Sequence, residues 1–390
     1  MNQRLAIFGS SAGARRGACP TLDAPMQTGD GLLARIRIAG NHMTPAQLAA
    51  LARLARQHGN GILEVTARGN LQIRGLTPAS APLLAATATA LVPIETGLVI
   101  DISPLAGEDA EEKADSVALA ARIRAGALSI EGQLGPKVSV VVDGGGQISL
   151  AALKADIRLR AVDASRWAVV LGGGKPQIMD ADGAIVTTLA VLSALAALGP
   201  DARATDLFPA SDSASVISEP ARDMAERLEL MTGYTSPVAL PFGQIDGEAL
   251  IALAECPGLT TIRLAPGHTL LLDNVSTDVL DRAAALGFIT KFNDPRRHVS
   301  ACIGSEGCAS GHIPARRLAN ALAPHVAADR HLHVSGCTKG CAHPRAADLT
   351  LVGRNDGIGL VIAGRAGDTP SEILDEAGLI PALVARREGR

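Results

Sequence analysis

Four cysteines stand in two short stretches: Cys302 and Cys308 in "ACIGSEGC", and Cys337 and Cys341 in "VSGCTKGCAHP". Their pattern is C-x5-C, a gap of 28 residues, then C-x3-C. Thiolates in such pairs bind metal, bind an iron–sulfur cluster or oxidise to disulfides. Structural zinc favours pairs two to four residues apart, because each pair forms a tight knuckle round a tetrahedral ion, and the five-residue gap is loose for that. Six cysteines in a chain of 390 residues do not make a secreted disulfide scaffold. An iron–sulfur cluster is larger than one ion, accepts wider pairs and gains from backbone N–H groups aimed at its sulfurs. Gly304, Gly307, Gly311, Gly336 and Gly340 surround the four cysteines and permit such close backbone approach. The spacing is not that of a small ferredoxin, which gathers three cysteines within a few residues. Spacing alone leaves zinc and a cluster both open.

Other reactive side chains carry less. Cys19 and Cys256 each precede a proline and read as packed spectators. His331 and His333 alternate on one strand face, while His312 and His343 lie near the cysteines. Non-haem iron favours two histidines and a carboxylate, but buried or capping histidines are the plainer reading. "LGGGKP" at 171–176 lacks the glycine spacing and acidic partner of a dinucleotide fingerprint. With no nicotinamide domain visible, electrons for redox chemistry would come from a separate reductase.

Composition narrows the remaining classes. Lys plus Arg number 36 against 39 Asp plus Glu, a net charge of −3, so no global field points to nucleic acid or an anionic membrane. Aromatics are 2% of the chain, which leaves Ala, Leu, Val and Ile to build the core and argues against base-stacking surfaces. The apolar stretch "AIVTTLAVLSALAALG" from Ala184 is short for a bilayer span and carries Thr and Ser. The opening "MNQRLAIFGSSAGARRGACP" only faintly imitates a secretion signal, its apolar run being short and broken by serines. A reduced, cytoplasmic protein is expected.

The elements that must position the cysteines occur in two copies. "LLARIRI" alternates as a half-buried strand with Arg35 and Arg37 on one face. "TPAQLAALARLARQHG" follows as a helix with Thr44 as N-cap, Pro45 in the first turn and Gly59 as stop. Strands "ILEVTAR" and "NLQIRGL" and a helix opened by Thr77-Pro78 complete a β-α-β-β-α order. The order recurs in "PVALPFG", "DGEALIALAE", "LTTIRLA", "HTLLLDN" and "STDVLDRAAALGF", the last with Ser276 as cap. This split pattern suggests ferredoxin-like half-domains. The intervening segments also match, at a single offset of 192 positions from Val142 to Val334. Gly144 then meets Gly336, Asp156 meets Asp348, Leu159 meets Leu351, Val169 meets Val361 and Gly172 meets Gly364. At that offset Cys337 faces Gly145 and Cys341 faces Ser149, so the fold does not require the sulfurs. They serve chemistry.

The cysteine spacing and the twofold repeat resemble the sulfite and nitrite reductase superfamily. Within it, "RGACPTLDAPMQTGDGLLARIRI", "TARGNLQIRGL", "SPLAG" at 103–107 and "SGCTKGCAHP" resemble the precorrin-3B synthase family of aerobic cobalamin biosynthesis. The resemblance implies an α+β fold with a pseudo-twofold repeat: ferredoxin-like half-domains at 17–95 and 225–291, a reductase-type α/β domain without cysteines at 96–215, and a cluster-binding one at 292–390. It implies that Cys302, Cys308, Cys337 and Cys341 hold a [4Fe–4S] cluster, with sirohaem or a mononuclear non-haem iron beside Cys341. It further implies an oxygen-dependent monooxygenase that converts precorrin-3A to precorrin-3B, with molecular oxygen as co-substrate and an external donor (NADH through a reductase). A sirohaem sulfite or nitrite reductase is the rival enzyme; a zinc-stabilised or electron-carrier protein is the rival non-enzyme.

By the same resemblance Arg35 and Arg68 match two arginines of the reductases' anion cage and Lys137 matches a lysine. Arg68 and Lys137 are the catalytic candidates; Arg35, Arg37, Asn70 and Gln72 join them as binding candidates, with Arg37 and Arg74 the weaker. Each, taken alone, could be an ordinary surface or core polar residue. The departures matter as well. The reductases carry an Arg-Asn pair where Gly97 and Leu98 stand here, and a second lysine where Ser139 stands. Two cations fewer would weaken the reduction of a small anion, whereas a precorrin offers several carboxylates to arginine forks.

Overall fold

The structure is a computed structural model that describes residues 19–209 and 235–388. Residues 1–18 and 389–390, and the expected domain limits at 17, 215 and 225, lie outside the described residues.

The first half-domain forms as its sequence dictates. The helix Pro45–His58 begins with a reciprocal capping box between Thr44 and Gln47, has Pro45 in its first turn and ends at Gly59. Its inward stripe of Leu48, Leu51, Ala52 and Ala55 is buried. The second helix runs Ser80–Leu91. Thr77 does not cap it directly; Thr77 and Ser80 exchange hydrogen bonds across the turn before it. In the other copy Ser276 holds the N-cap position of Thr277–Ala285 without making a side-chain capping bond.

The two half-domains do not close separately. In the sheet Met26–Thr28, Gly31–Ile36, Leu71–Leu76, Ile62–Val65, the last strand pairs with Gln244–Asp246 from the second copy. Reciprocally His42–Met43 joins the sheet of Thr235–Ala239, Thr269–Asp273 and Ile262–Ala265, with Met43 opposite Ile262. Each copy lends the short strand before its first helix to the other. The exchange covers a sheet edge on both sides and merges Ile36, Leu51, Leu63 and Ile73 with Leu250, Leu253, Leu270 and Phe288 in one core.

The other segments build two sheets of the same order. Val99–Ile102, Ser139–Asp143 and Ile157–Ala161 run parallel, and Arg166–Leu171 and Gln177–Asp180 return antiparallel. Val299–Ala301, Leu332–Ser335 and Ala347–Arg354 run parallel in the second sheet, followed by Gly357–Gly364 and Glu372–Leu374 antiparallel. Even a side-chain bond repeats at the offset found in the sequence. Asp156 accepts from the N–H of Ser139 at 3.1 Å, and Asp348 accepts from that of His331 at 2.7 Å. The apolar stretch from Ala184 lies in the helix Ala181–Leu198, whose Ala184, Ile185, Val191, Leu192 and Leu195 are buried in the core of the first α/β domain.

Candidate functional site

Parallel pairing brings the two cysteine loops together. Val299–Ala301 and Leu332–Ser335 lie side by side with Ala301 opposite Val334, so both chains leave the sheet at the same edge. Cys302 follows the first strand directly, and Cys337 follows the second by two residues. The Cys302 N–H donates to Val334 O at 3.2 Å, and the Gly336 N–H donates to the Cys302 sulfur at 3.0 Å. The Cys308 N–H donates to Gly304 O at 2.9 Å, and the Ser335 hydroxyl donates to Cys337 O at 2.7 Å.

Glycine is obligatory at the crossing of these loops. Gly304 has φ +69°, and a Cβ there would stand 2.4 Å from the backbone nitrogen of Ala315. The copy without sulfur solves the same loop differently. Asp143, at the position equivalent to Ser335, accepts from the N–H groups of Gly145 and Leu150, each at 2.9 Å. A carboxylate closes that loop from within.

All four thiols line one cavity of about 680 Å³ between the shared half-domain core and the second α/β domain. Cys302, Cys308 and Cys337 are half-buried and Cys341 is the exposed one. Even so, surrounding protein and the nearness of Cys337, Cys302 and Cys308 push the Cys341 thiol upward, because each added thiolate would repel the others. A cationic cluster core would relieve that repulsion. Among the described residues no three His, Cys, Asp or Glu side chains gather on a point suited to a single metal ion. Four thiols spread around a cavity, with a backbone N–H already on one sulfur, fit a cluster as donor set.

The remaining lining is largely apolar, with Met26, Leu33, Val65, Phe242 and Ile303 among it, and four cations are set into it. Arg35, Arg74, Arg316 and Lys339 line the cavity, and Glu64 is the carboxylate among them. Arg35 donates through Nε and Nη2 to Gln72 Oε1 at 2.9 and 2.7 Å, and Gln72 Nε2 donates to Glu64 at 2.5 Å. Arg74 forks onto Asp30 at 2.9 and 2.8 Å and reaches Glu64 at 3.3 Å. Burial, the largest influence, pushes the Arg35 guanidinium down, and among the described residues no carboxylate hydrogen-bonds it in return. Arg74, despite the same burial, is held up by Asp30 and Glu64. Lys339 rests on the Ser310 hydroxyl at 3.0 Å.

The expected binding residues divide. Arg35 and Gln72 line the cavity, as does Arg74. Arg68 leaves the adjoining 66–70 turn to pair with Asp101 and to donate to Lys154 O at 2.6 Å, tying the half-domain to the first α/β domain. Arg37 is taken by Glu95 at 2.9 Å, which Arg124 also approaches. Asn70 is buried, and its backbone closes the turn with Thr66 instead of facing the cavity. Lys137 is exposed in the turn before Ser139–Asp143 and is not among the lining residues. Strand alternation placed Arg35 and Arg37 on one face, but sequence could not show which had a carboxylate waiting. Arg316, Glu64 and Lys339 belong to the cavity and carried no sequence signal beyond their charge.

Both departures from the reductase pattern sit in distinctive local settings. Gly97 has φ +72°, a backbone conformation that a side-chain-bearing residue such as arginine adopts only with strain, and the Glu131 carboxylate would have to swing aside from a Cβ there. Ser139 is buried inside the parallel sheet.

A histidine cluster stands behind the Cys337 strand. The Ser300 hydroxyl lies 2.9 Å from His331 Nε2 and 3.0 Å from His333 Nδ1, and His343 stacks on His331 at 4.7 Å. Burial pushes His331 and His333 down to about 4, so both are neutral at pH 7. The Nε2 of fully buried His333 has no partner among the described residues. His312 is exposed, and its N–H donates to Gly336 O at 2.8 Å.

Comparisons with known proteins agree with this architecture. Residues 24–91 match the family described as nitrite/sulfite reductase ferredoxin-like half domain. A precorrin-3B synthase from Sinorhizobium sp. is 40% identical over 409 residues, spanning 96% of this chain and 89% of that protein. A ferredoxin–nitrite reductase from Synechococcus elongatus is 25% identical over 411 residues, 86% of this chain and 80% of that one. Among solved structures, the Mycobacterium tuberculosis NirA protein superposes with a TM-score of 0.62 at 17% identity, covering 92% of this chain and 82% of that one, a likeness of fold.

Proposed function

We propose that this chain, which belongs to the precorrin-3B synthase family, converts precorrin-3A to precorrin-3B. One atom of molecular oxygen would become the hydroxyl at the meso carbon C-20, and the ring A acetate would close a γ-lactone. The second oxygen atom leaves as water, taking two electrons and two protons from an external donor, NADH acting through a separate reductase. A cytoplasmic setting, where thiols stay reduced, belongs to this reading.

The observation that carries it is the meeting of four thiols and a surplus of guanidinium groups in one cavity. Cys302, Cys308, Cys337 and Cys341 would hold a [4Fe–4S] cluster, which supplies single electrons when bound; sirohaem or a mononuclear iron is the companion group the reading calls for. Arg35, oriented by Gln72 and through it by Glu64, is set before any ligand enters, so gripping a carboxylate costs little reorganisation.

Reduction of sulfite or nitrite is the competing activity. Without cations at Gly97 and Ser139, a small anion finds less neutralisation as electrons arrive, each missing cation costing on the order of a hundredfold in rate. The test supplies reductant, oxygen and either precorrin-3A or sulfite to one anaerobically prepared sample. Formation of precorrin-3B is expected. Sulfide release at about 1 per second or faster, with precorrin-3A untouched, would overturn the reading.

A further inference from the structure

Arg316 stands in the first turn of the helix Ala315–Leu322 and faces the same cavity as Cys302 and Arg35. Its side chain is 18% exposed, and among the described residues the carboxylate that approaches it, Glu64, stays 3.9 Å away. That distance is beyond a hydrogen bond. Glu64 is also engaged already, by Gln72 at 2.5 Å and Arg74 at 3.3 Å. Arg316 Nε is buried and has no partner among the described residues. Burial, outweighing the pull of Glu64, pushes this guanidinium down to about 10. Nothing of the kind holds for Arg74, which grips Asp30 with two nitrogens.

A desolvated cation with donors unused costs free energy that folding alone does not recover. Such a group persists where something else completes it. Among the described residues, two guanidiniums lining this cavity have no hydrogen-bonded carboxylate, Arg35 and Arg316, and both feel the charge of Glu64. We infer that Arg316, together with Arg35, seats an oxyanion of the ligand, namely a carboxylate side chain of the tetrapyrrole, and thereby sets which macrocycles the cavity accepts. The choice of tetrapyrrole rests on the function proposed above; the anion seat rests on the geometry. A structural strut would instead resemble Arg74, satisfied from within the protein.

The test uses the full chain, purified anaerobically, as wild type, Arg316→Met and Arg316→Lys. Absorbance titration follows binding of uroporphyrin, of its uncharged octamethyl ester and of sulfite. Arg316→Met should bind uroporphyrin about tenfold more weakly or worse, with partial recovery in Arg316→Lys and no change for the ester. Iron and sulfide contents should match wild type, and the unliganded Met variant should melt no earlier, since it loses an unpaired charge and keeps the apolar stem. Unchanged uroporphyrin binding by the Met variant would overturn the proposal. So would a Met variant that fails to fold, or melts earlier without ligand, because Arg316 would then be structural. Sulfite binding that depends on Arg316, with uroporphyrin ignored by wild type, would keep the anion seat and remove the tetrapyrrole.

Discussion

The backbone N–H of Gly336 donates to the sulfur of Cys302 at 3.0 Å, linking the two cysteine loops across 34 positions of sequence. The contact needs glycine, because a Cβ at 336 would lie 2.9 Å from Gly304 Cα and 3.4 Å from the Cys302 sulfur. N–H groups on cluster sulfurs raise reduction potential, so this bond places the backbone in the electronic environment of whatever the thiols bind.

Anaerobic preparations should contain iron and labile sulfide in equal amounts, with a broad visible shoulder. Cys302→Ser and Cys337→Ser should each lose most of both. One zinc per chain with no labile sulfide would exclude the cluster.

Gly336→Ala should displace the Gly304 loop, at a cost of about 1–3 kcal/mol by the usual penalty for overpacking. Urea unfolding measures the cost, and the visible spectrum should weaken in the same variant. A spectrum and midpoint both equal to wild type would show that the loops tolerate the methyl group.

Arg74→Met leaves Asp30 with 6% side-chain exposure and no counter-charge. Losing one partner of a buried pair costs about 3 kcal/mol or more. Thermal melts of Arg74→Met and Arg316→Met should therefore diverge, the first well below wild type.

Acid should weaken the fold through the histidine cluster. His331 and His333 are lowered from 6.5 to about 4, chiefly by burial. Between these values the unfolded chain binds more protons, so their contribution is fully present above pH 6.5 and is lost as pH falls toward 4. Stability measured across that window should rise with pH less steeply in His333→Phe than in wild type. Equal slopes would remove His333 from the account.

The binding candidates should separate in kinetics. Arg35→Gln should raise KM for precorrin-3A about tenfold with a smaller change in kcat, since it removes a grip on the ligand. Lys137→Ala, at an exposed turn away from the lining, should stay within about twofold of wild type. A large loss in Lys137→Ala would mean that the cavity extends to that turn when occupied.

Sequence alone determined the elements and the repeat. Capping at Thr44, the stop at Gly59 and the offset relating Asp156 to Asp348 are local or periodic signals, and local chemistry settles them. That Cys302, Cys308, Cys337 and Cys341 share a site was implied by the family resemblance, while the parallel pairing of Val299–Ala301 with Leu332–Ser335 is what gathers them round one cavity. Tertiary structure alone decided which charges were free. Arg35, Arg37 and Arg68 look alike along the chain, yet Glu95 takes one and Asp101 another, leaving Arg35 with the amide of Gln72. Arg316 had no sequence signal because its importance lies in an absence of partners, a property of distant neighbours brought together. The exchange of His42–Met43 for Gln244–Asp246 was hidden for the same reason: edge strands of two or three residues acquire meaning only from the sheet they complete.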